Sequence, residues 1–185
     1  MMNLILWHES AEKFSSFDFT KFQGKVKDPF HGVGFQFYNQ KPTHSFSKYL
    51  YKVEVKDFHG IDDAKIEFDI LKKIDTLTRE CLLKCLTPEE YDSFTLDGFL
   101  FFLPAEHEWE YNTATRPEKM IRLWNHWSFF IITYCDNNTI QEYCDKLVAI
   151  TGKDGYYCEE YGYSVIFNTH KLHIIKKLHL KGGER

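Results

Sequence analysis

The clearest alternation of apolar and polar positions runs from Tyr49 to Lys56. Tyr49, Tyr51, Val53 and Val55 interleave there with Leu50, Lys52, Glu54 and Lys56. Successive side chains of a strand point to opposite faces, so this segment predicts a half-buried strand. Asn3 to His8 predicts a short buried strand, and Leu96 to Leu103 is apolar enough for another. Strand character returns in Ser164 to Asn168 and Leu172 to Leu180. Between these lie helical patterns. Asp62 and Asp63 are suited to cap a helix carrying Ile66, Ile70, Leu71 and Ile74, and a second helix is expected from Asp75 to Leu86. Pro88 opens a short third one. Thr115 to Ile131 carries a stripe of Met120, Leu123, Trp124, Trp127, Phe130 and Ile131, and Thr139 to Ile150 repeats the pattern before Gly152 stops it. Pro42 to Tyr49 predicts a short helix, Gly24 to Asn39 is turn-rich, and Phe14, Phe17, Phe19 and Phe22 follow no clean period. Strands at both ends with helices between them predict an α+β fold with a mixed or antiparallel sheet. With no linker or repeat to divide the chain, a single domain over residues 1–185 is expected, with 57–149 as a helical insert.

Composition narrows the class. The chain has 185 residues, of which 43% are hydrophobic, including 17 Phe and 11 Tyr, so a real core is affordable and wholesale disorder is excluded. The formal charge of -4 gives no global basic field; only the tail is locally basic, through Lys171, Lys176, Lys177, Lys181 and Arg185. The apolar start ends at Trp7-His8-Glu9, short of a secretory signal and far short of the roughly 20 apolar residues of a spanning helix. The expectation is a cytoplasmic protein without membrane contact, with delivery through machinery that reads no cleavable signal left open. Five cysteines, none in a two-residue-gap pair, read as reduced structural thiols.

Four fragments carry candidate chemistry. Leu6-Trp7-His8-Glu9-Ser10 closes the first strand, and Phe14-Ser15-Ser16-Phe17-Asp18 follows it. Gly32-Val33-Gly34-Phe35-Gln36-Phe37 precedes the alternating strand. Gly152-Lys153-Asp154-Gly155-Tyr156 leads to Tyr163-Ser164-Val165-Ile166-Phe167-Asn168. An imidazole such as His8 offers one donor and one acceptor, which suits a ribose hydroxyl.

In this order and spacing the fragments resemble the ADP-ribosyltransferase superfamily, in its diphtheria-toxin-like and poly(ADP-ribose)-polymerase-like branch, over roughly residues 4–56 and 150–180. The resemblance implies an NAD cleft. His8 would bond the nicotinamide ribose, the backbone of Glu9, beside Ser10, would hold the carboxamide, and Phe35, Gln36, Phe37 and Tyr38 would wall the ring. Gln36 stands where the family has a stacking Tyr, and Glu9 where it has Gly. Tyr163 stands where the family has its catalytic Glu, with Glu159 and Glu160 just upstream as the nearest carboxylates. The implied activity is mono-ADP-ribosyl transfer, with NAD as co-substrate, to an acceptor that the residues do not identify, in a toxin or effector setting. A catalytically silent domain of the same fold, acting as a binding module, is the alternative. So is a plain core histidine at His8.

Other polar clusters read as structural. Glu106-His107-Glu108-Trp109-Glu110 has metal-ligand residue types without a ligand spacing and reads as an exposed loop. His170 and His173 fall on opposite faces of a strand.

Overall fold

A computed structural model describes residues 2–21, 33–45, 47–61, 67–96, 127–160 and 162–180. Of the expected strand over Leu96 to Leu103, Leu96 closes a helix and the rest lies outside these residues, as do the start of the Thr115 helix and the Glu106 to Glu110 cluster. The chain divides into two compact units: Met1–Asp18 with Gly34–Ile61 and Lys153–Arg185, and Phe19–Val33 with Asp62–Gly152.

The first unit is a six-stranded sheet. Its strands are β1 (Met2–Ser10), β2 (Phe35–Tyr38), β3 (Tyr49–Phe58), β4 (Gly155–Cys158), β5 (Tyr163–Ile166) and β6 (Leu172–His179), in the order β4-β5-β2-β1-β3-β6. All five strand pairings are antiparallel. One face buries Leu4 and Leu6 of β1, Phe35 and Phe37 of β2, Tyr51, Val53 and Val55 of β3, and Ile166 of β5. The alternation that predicted β3 is the alternation that fills this core. β4 is a strand that the sequence pattern does not predict, and it exists because Gly155 lets two backbones close up. A Cβ there would collide with the Val165 carbonyl, and one at Gly34 would meet the Ile166 carbonyl at 2.8 Å. Both glycines lie in the fragments singled out above, and both sit against β5.

Asp154, just before β4, is the polar centre of this unit. It is buried, and its carboxylate accepts from Asn168 Nδ2 (2.6 Å), the His59 N–H (2.8 Å) and Lys171 Nζ (2.8 Å). Lys171 also donates to the carbonyl of Asp57 at 2.7 Å, a residue held at φ 47. One carboxylate thus ties the end of β3 to the segment joining β5 and β6, a load that a single Asp in a turn does not advertise.

Among its described residues the second unit holds four α-helices: α1 (Phe68–Cys85), α2 (Pro88–Leu96), α3 (residues 127–134) and α4 (Asn137–Thr151). Two expected helices are one. No helix begins at Asp75; it accepts from Arg79 Nε at 2.9 Å inside α1, while Leu71, Ile74, Thr78, Cys81 and Leu82 continue one buried stripe. Thr87 and Glu90 form a reciprocal capping box at the start of α2. Asp136 caps α4 by accepting from the Thr139 N–H, and Gly152 ends it in the left-handed region at φ 63, as its sequence predicts. α1 and α4 are joined through the buried Thr78 and Tyr143 hydroxyls, 3.0 Å apart. Cys81, Cys85, Cys135 and Cys144 are free thiols of this unit, and burial pushes Cys81 up to about 11. The short helix expected from Pro42 is absent from the described residues of that stretch; Ser45 Oγ instead accepts from the Ser47 N–H, a local bond that competes with helix formation. No helix among the described residues is long and apolar enough to cross a membrane.

Candidate functional site

Three of the fragments lie on neighbouring strands: β5, β2 and β1 stand side by side. The seam between β1 and β2 is narrow. β1 pairs with β3 almost continuously from Met2 to Ser10, but with β2 at one register pair, Trp7↔Tyr38. His8 sits immediately beyond that pair.

The His8 ring, half-buried, packs among rings. Phe17, Phe37, Phe14, Phe35 and Tyr51 have centroids 5.2, 5.5, 5.8, 6.2 and 6.4 Å away. Its Nδ1 lies 2.8 Å from the Gln36 carbonyl oxygen. A carbonyl only accepts, so Nδ1 carries the proton and donates. Burial lowers the His8 pKa to about 4, outweighing the Gln36 hydrogen bond that favours the charged form. The ring is therefore neutral near pH 7, and Nε2 keeps its lone pair as an acceptor.

The fragment after β1 supplies two of these rings, Phe14 and Phe17. Phe14 stacks on Tyr51 with centroids 4.1 Å apart, and the Tyr51 hydroxyl accepts from the Phe14 N–H at 2.8 Å. Lys177 Nζ donates to the Phe14 carbonyl at 2.7 Å and lies 5.2 Å from the Tyr51 ring centroid. Sequence reasoning named neither Tyr51 nor Lys177 for the site. Tyr51 was visible only as a strand residue, and its register partner is His8.

The strand register separates the candidate residues into two groups. His8, Phe35 and Phe37 share the buried face, and Ser164 pairs with Phe37 on it. Gln36, Tyr38 and Tyr163 belong to the opposite face, because Tyr38 pairs with both Trp7 and Tyr163, and Gln36 pairs with Val165. Tyr163 therefore does not converge with His8, and Gln36 and Tyr38, expected to wall the nicotinamide ring, lie on the face away from it. The cause is strand parity: Tyr163 is one residue from Ser164, so the two must point oppositely. Glu9 also faces away from His8. Its Oε1 is buried without a hydrogen-bond partner among the described residues. Burial, and then the Glu9 charge, raise the pKa of the Tyr38 phenol. Ser10 turns its hydroxyl to accept from the Glu12 N–H at 3.1 Å.

Glu159 and Glu160 form the exposed turn between β4 and β5. That turn is clasped to the end of β2, since the Gly162 N–H donates to the Glu159 carbonyl at 3.2 Å and the Asn39 N–H to the Gly162 carbonyl at 2.8 Å. The carboxylates thus hang from a fixed corner beside the seam strands. No family model matches the chain, and neither a curated protein nor a solved structure matches it.

Proposed function

We propose that this chain is an ADP-ribosyltransferase-like domain that takes NAD at the β1–β2 seam and passes ADP-ribose to a macromolecular acceptor. The observation that carries the reading is His8. It is neutral, its Nδ1–H is spent on Gln36, and its Nε2 is an acceptor where the β1–β2 pairing stops. A ribose hydroxyl is a fitting donor to it. Phe35 and Phe37 offer apolar walls on the same face, and the backbone of Glu9 runs along the seam. In the reaction the C–N bond between ribose C1′ and nicotinamide breaks, with the electron pair leaving on nicotinamide. The acceptor nucleophile bonds to C1′ and gives up its proton. Cationic ribose wants a carboxylate nearby, and a phenol that is neutral near pH 7 supplies only a hydrogen bond. Glu159 or Glu160 fills that role on this reading, and Tyr163 does not. A toxin or effector setting, acting in cytoplasm, accompanies the proposal.

The second reading is a silent domain of the same fold that binds a partner. It is favoured by the orientation of Tyr163, which leaves the position of the family's acid facing away from His8. Nicotinamide release from NAD in the presence of acceptor extract decides between them. The transferase reading expects release, lost by on the order of 10²-fold or more in Glu159→Gln or Glu160→Gln with folding intact. Full activity in both variants removes the acid assignment. No release from the wild type, with NAD still bound, selects the silent domain.

A further inference from the structure

The sheet face turned away from His8 carries an ordered row. Following the register across the strands, Tyr163 pairs with Tyr38, Tyr38 with Trp7, Trp7 with Lys52, and Lys52 with Lys176. Directly paired residues share a face, so these five side chains form one line across β5, β2, β1, β3 and β6. At about 4.8 Å per strand the line is about 19 Å long. Three aromatic rings occupy one end and two ammonium groups the other. Lys41 adds a third: its Nζ and that of Lys52 each lie 5.8 Å from the Trp7 ring centroid. Tyr38 is 46% exposed, and Trp7 and Tyr163 are half-buried.

Charge on this face is unbalanced. Glu54 is engaged by Lys56 at 3.6 Å, whereas Lys41, Lys52 and Lys176 have no carboxylate partner among the described residues. Glu159 and Glu160 lie in the turn before Tyr163, and the acid within the row's own strands is Glu9, two residues from Trp7 along β1, whose buried Oε1 lacks a donor among the described residues. Stripping a carboxylate oxygen of water without giving it a donor is costly, which points to a donor arriving with a ligand.

We infer that this face binds single-stranded nucleic acid. Bases stack on Tyr38 and Trp7, phosphates lie along Lys41, Lys52 and Lys176, and Glu9 accepts from the exocyclic amino group of a base. Each part of the row has work to do on this ligand. An acidic peptide would use the lysines and leave the rings idle, while a duplex hides the π faces of its bases and would meet only the cations. A carboxylate reads the cytosine amino group and has nothing to accept from uracil's corresponding carbonyl, so cytidine is favoured over uridine. The inference does not rest on the transferase reading, because the row and the His8 enclosure lie on opposite faces.

The test is fluorescence anisotropy of labelled single-stranded oligocytidine with the full chain, across a salt series. Tyr38→Ala should weaken binding roughly tenfold through loss of one stacking partner. Lys52→Gln with Lys176→Gln should flatten the salt dependence by about 1.4 in log–log slope, two phosphate contacts at about 0.7 each. Glu9→Gln should erase the preference for oligocytidine over oligouridine. Circular dichroism checks each variant for folding, and the lysine pair, on the strand surface, keeps the test alive if Tyr38→Ala unfolds. Absence of binding, equal affinity for a duplex of the same sequence, or displacement of the oligonucleotide by NAD would each overturn the inference. Nicotinamide release by the lysine double variant reports on the transferase reading separately and is expected to be unchanged.

Discussion

Protonating His8 should cost stability in a defined pH window, and the window follows from its surroundings. In an unfolded chain an imidazole titrates near 6.5; here burial among five aromatic rings lowers it to about 4. Between those values the unfolded chain binds a proton that the folded chain refuses, so stability rises with pH. The His8 contribution is therefore complete above about pH 6.5. It is lost progressively as pH falls toward 4 and is exhausted below that. A separation of about 2.5 units at about 1.36 kcal/mol each gives ~3 kcal/mol, an order-of-magnitude figure. The assay is urea unfolding at a series of pH values for the wild type and His8→Phe. Phe keeps the aromatic packing and removes the titration, so the difference between the two curves isolates the ring. The wild type should lose about 3 kcal/mol more than the variant between pH 7 and pH 4. The same measurement near pH 7 gauges the Gln36 hydrogen bond, about 1 kcal/mol for a neutral pair. Superimposable pH profiles would refute the buried neutral imidazole, and with it the acceptor role given to Nε2.

Asp154→Ala should cost about 3–5 kcal/mol in urea unfolding, because it strands the Lys171 ammonium and the His59 N–H after removing their shared acceptor. A double-mutant cycle with Lys171→Met should show coupling above ~1 kcal/mol, and strict additivity would mean that the two groups act independently. Gly155→Ala should cost about 1–3 kcal/mol and loosen β4, since the new methyl meets the β5 backbone. Gly162→Ala is the contrast: a Cβ there meets nothing within 4 Å, and only the backbone strain of φ 69 is felt, about 1–2 kcal/mol. Hydrogen exchange at the β4 and β5 amides distinguishes them, with protection falling in Gly155→Ala alone.

What could be read along the chain was local. Tyr49 to Lys56 alternates, and β3 has those residues because a strand's two faces are written in a period of two. Asp136 and Gly152 bound α4 because caps are satisfied within a few residues of themselves. The aromatic spacer Phe14 and Phe17 is legible as a pattern. Its purpose, to roof His8, came only from the fold, which brings in Tyr51 and Lys177 from distant strands. The same holds for Asp154, whose partners approach from β3 and from the segment after β5. β4 is not legible in the sequence because four residues opening on a glycine carry too short an alternation; they become a strand by pairing with β5.

The candidate site divides along this line. His8 was legible from its flanking residues, and its neutral state was not, since desolvation is a property of what surrounds a ring. The fragments group Tyr163, Tyr38 and Gln36 with His8. The register then sent them to the other face, where Tyr38 and Tyr163 line up with Trp7, Lys52 and Lys176. Alternation in a sequence says that a strand has two faces. Which residues of separate strands share one is decided by pairing between segments more than a hundred residues apart, such as Phe35 with Ile166, through backbone groups that every residue carries alike.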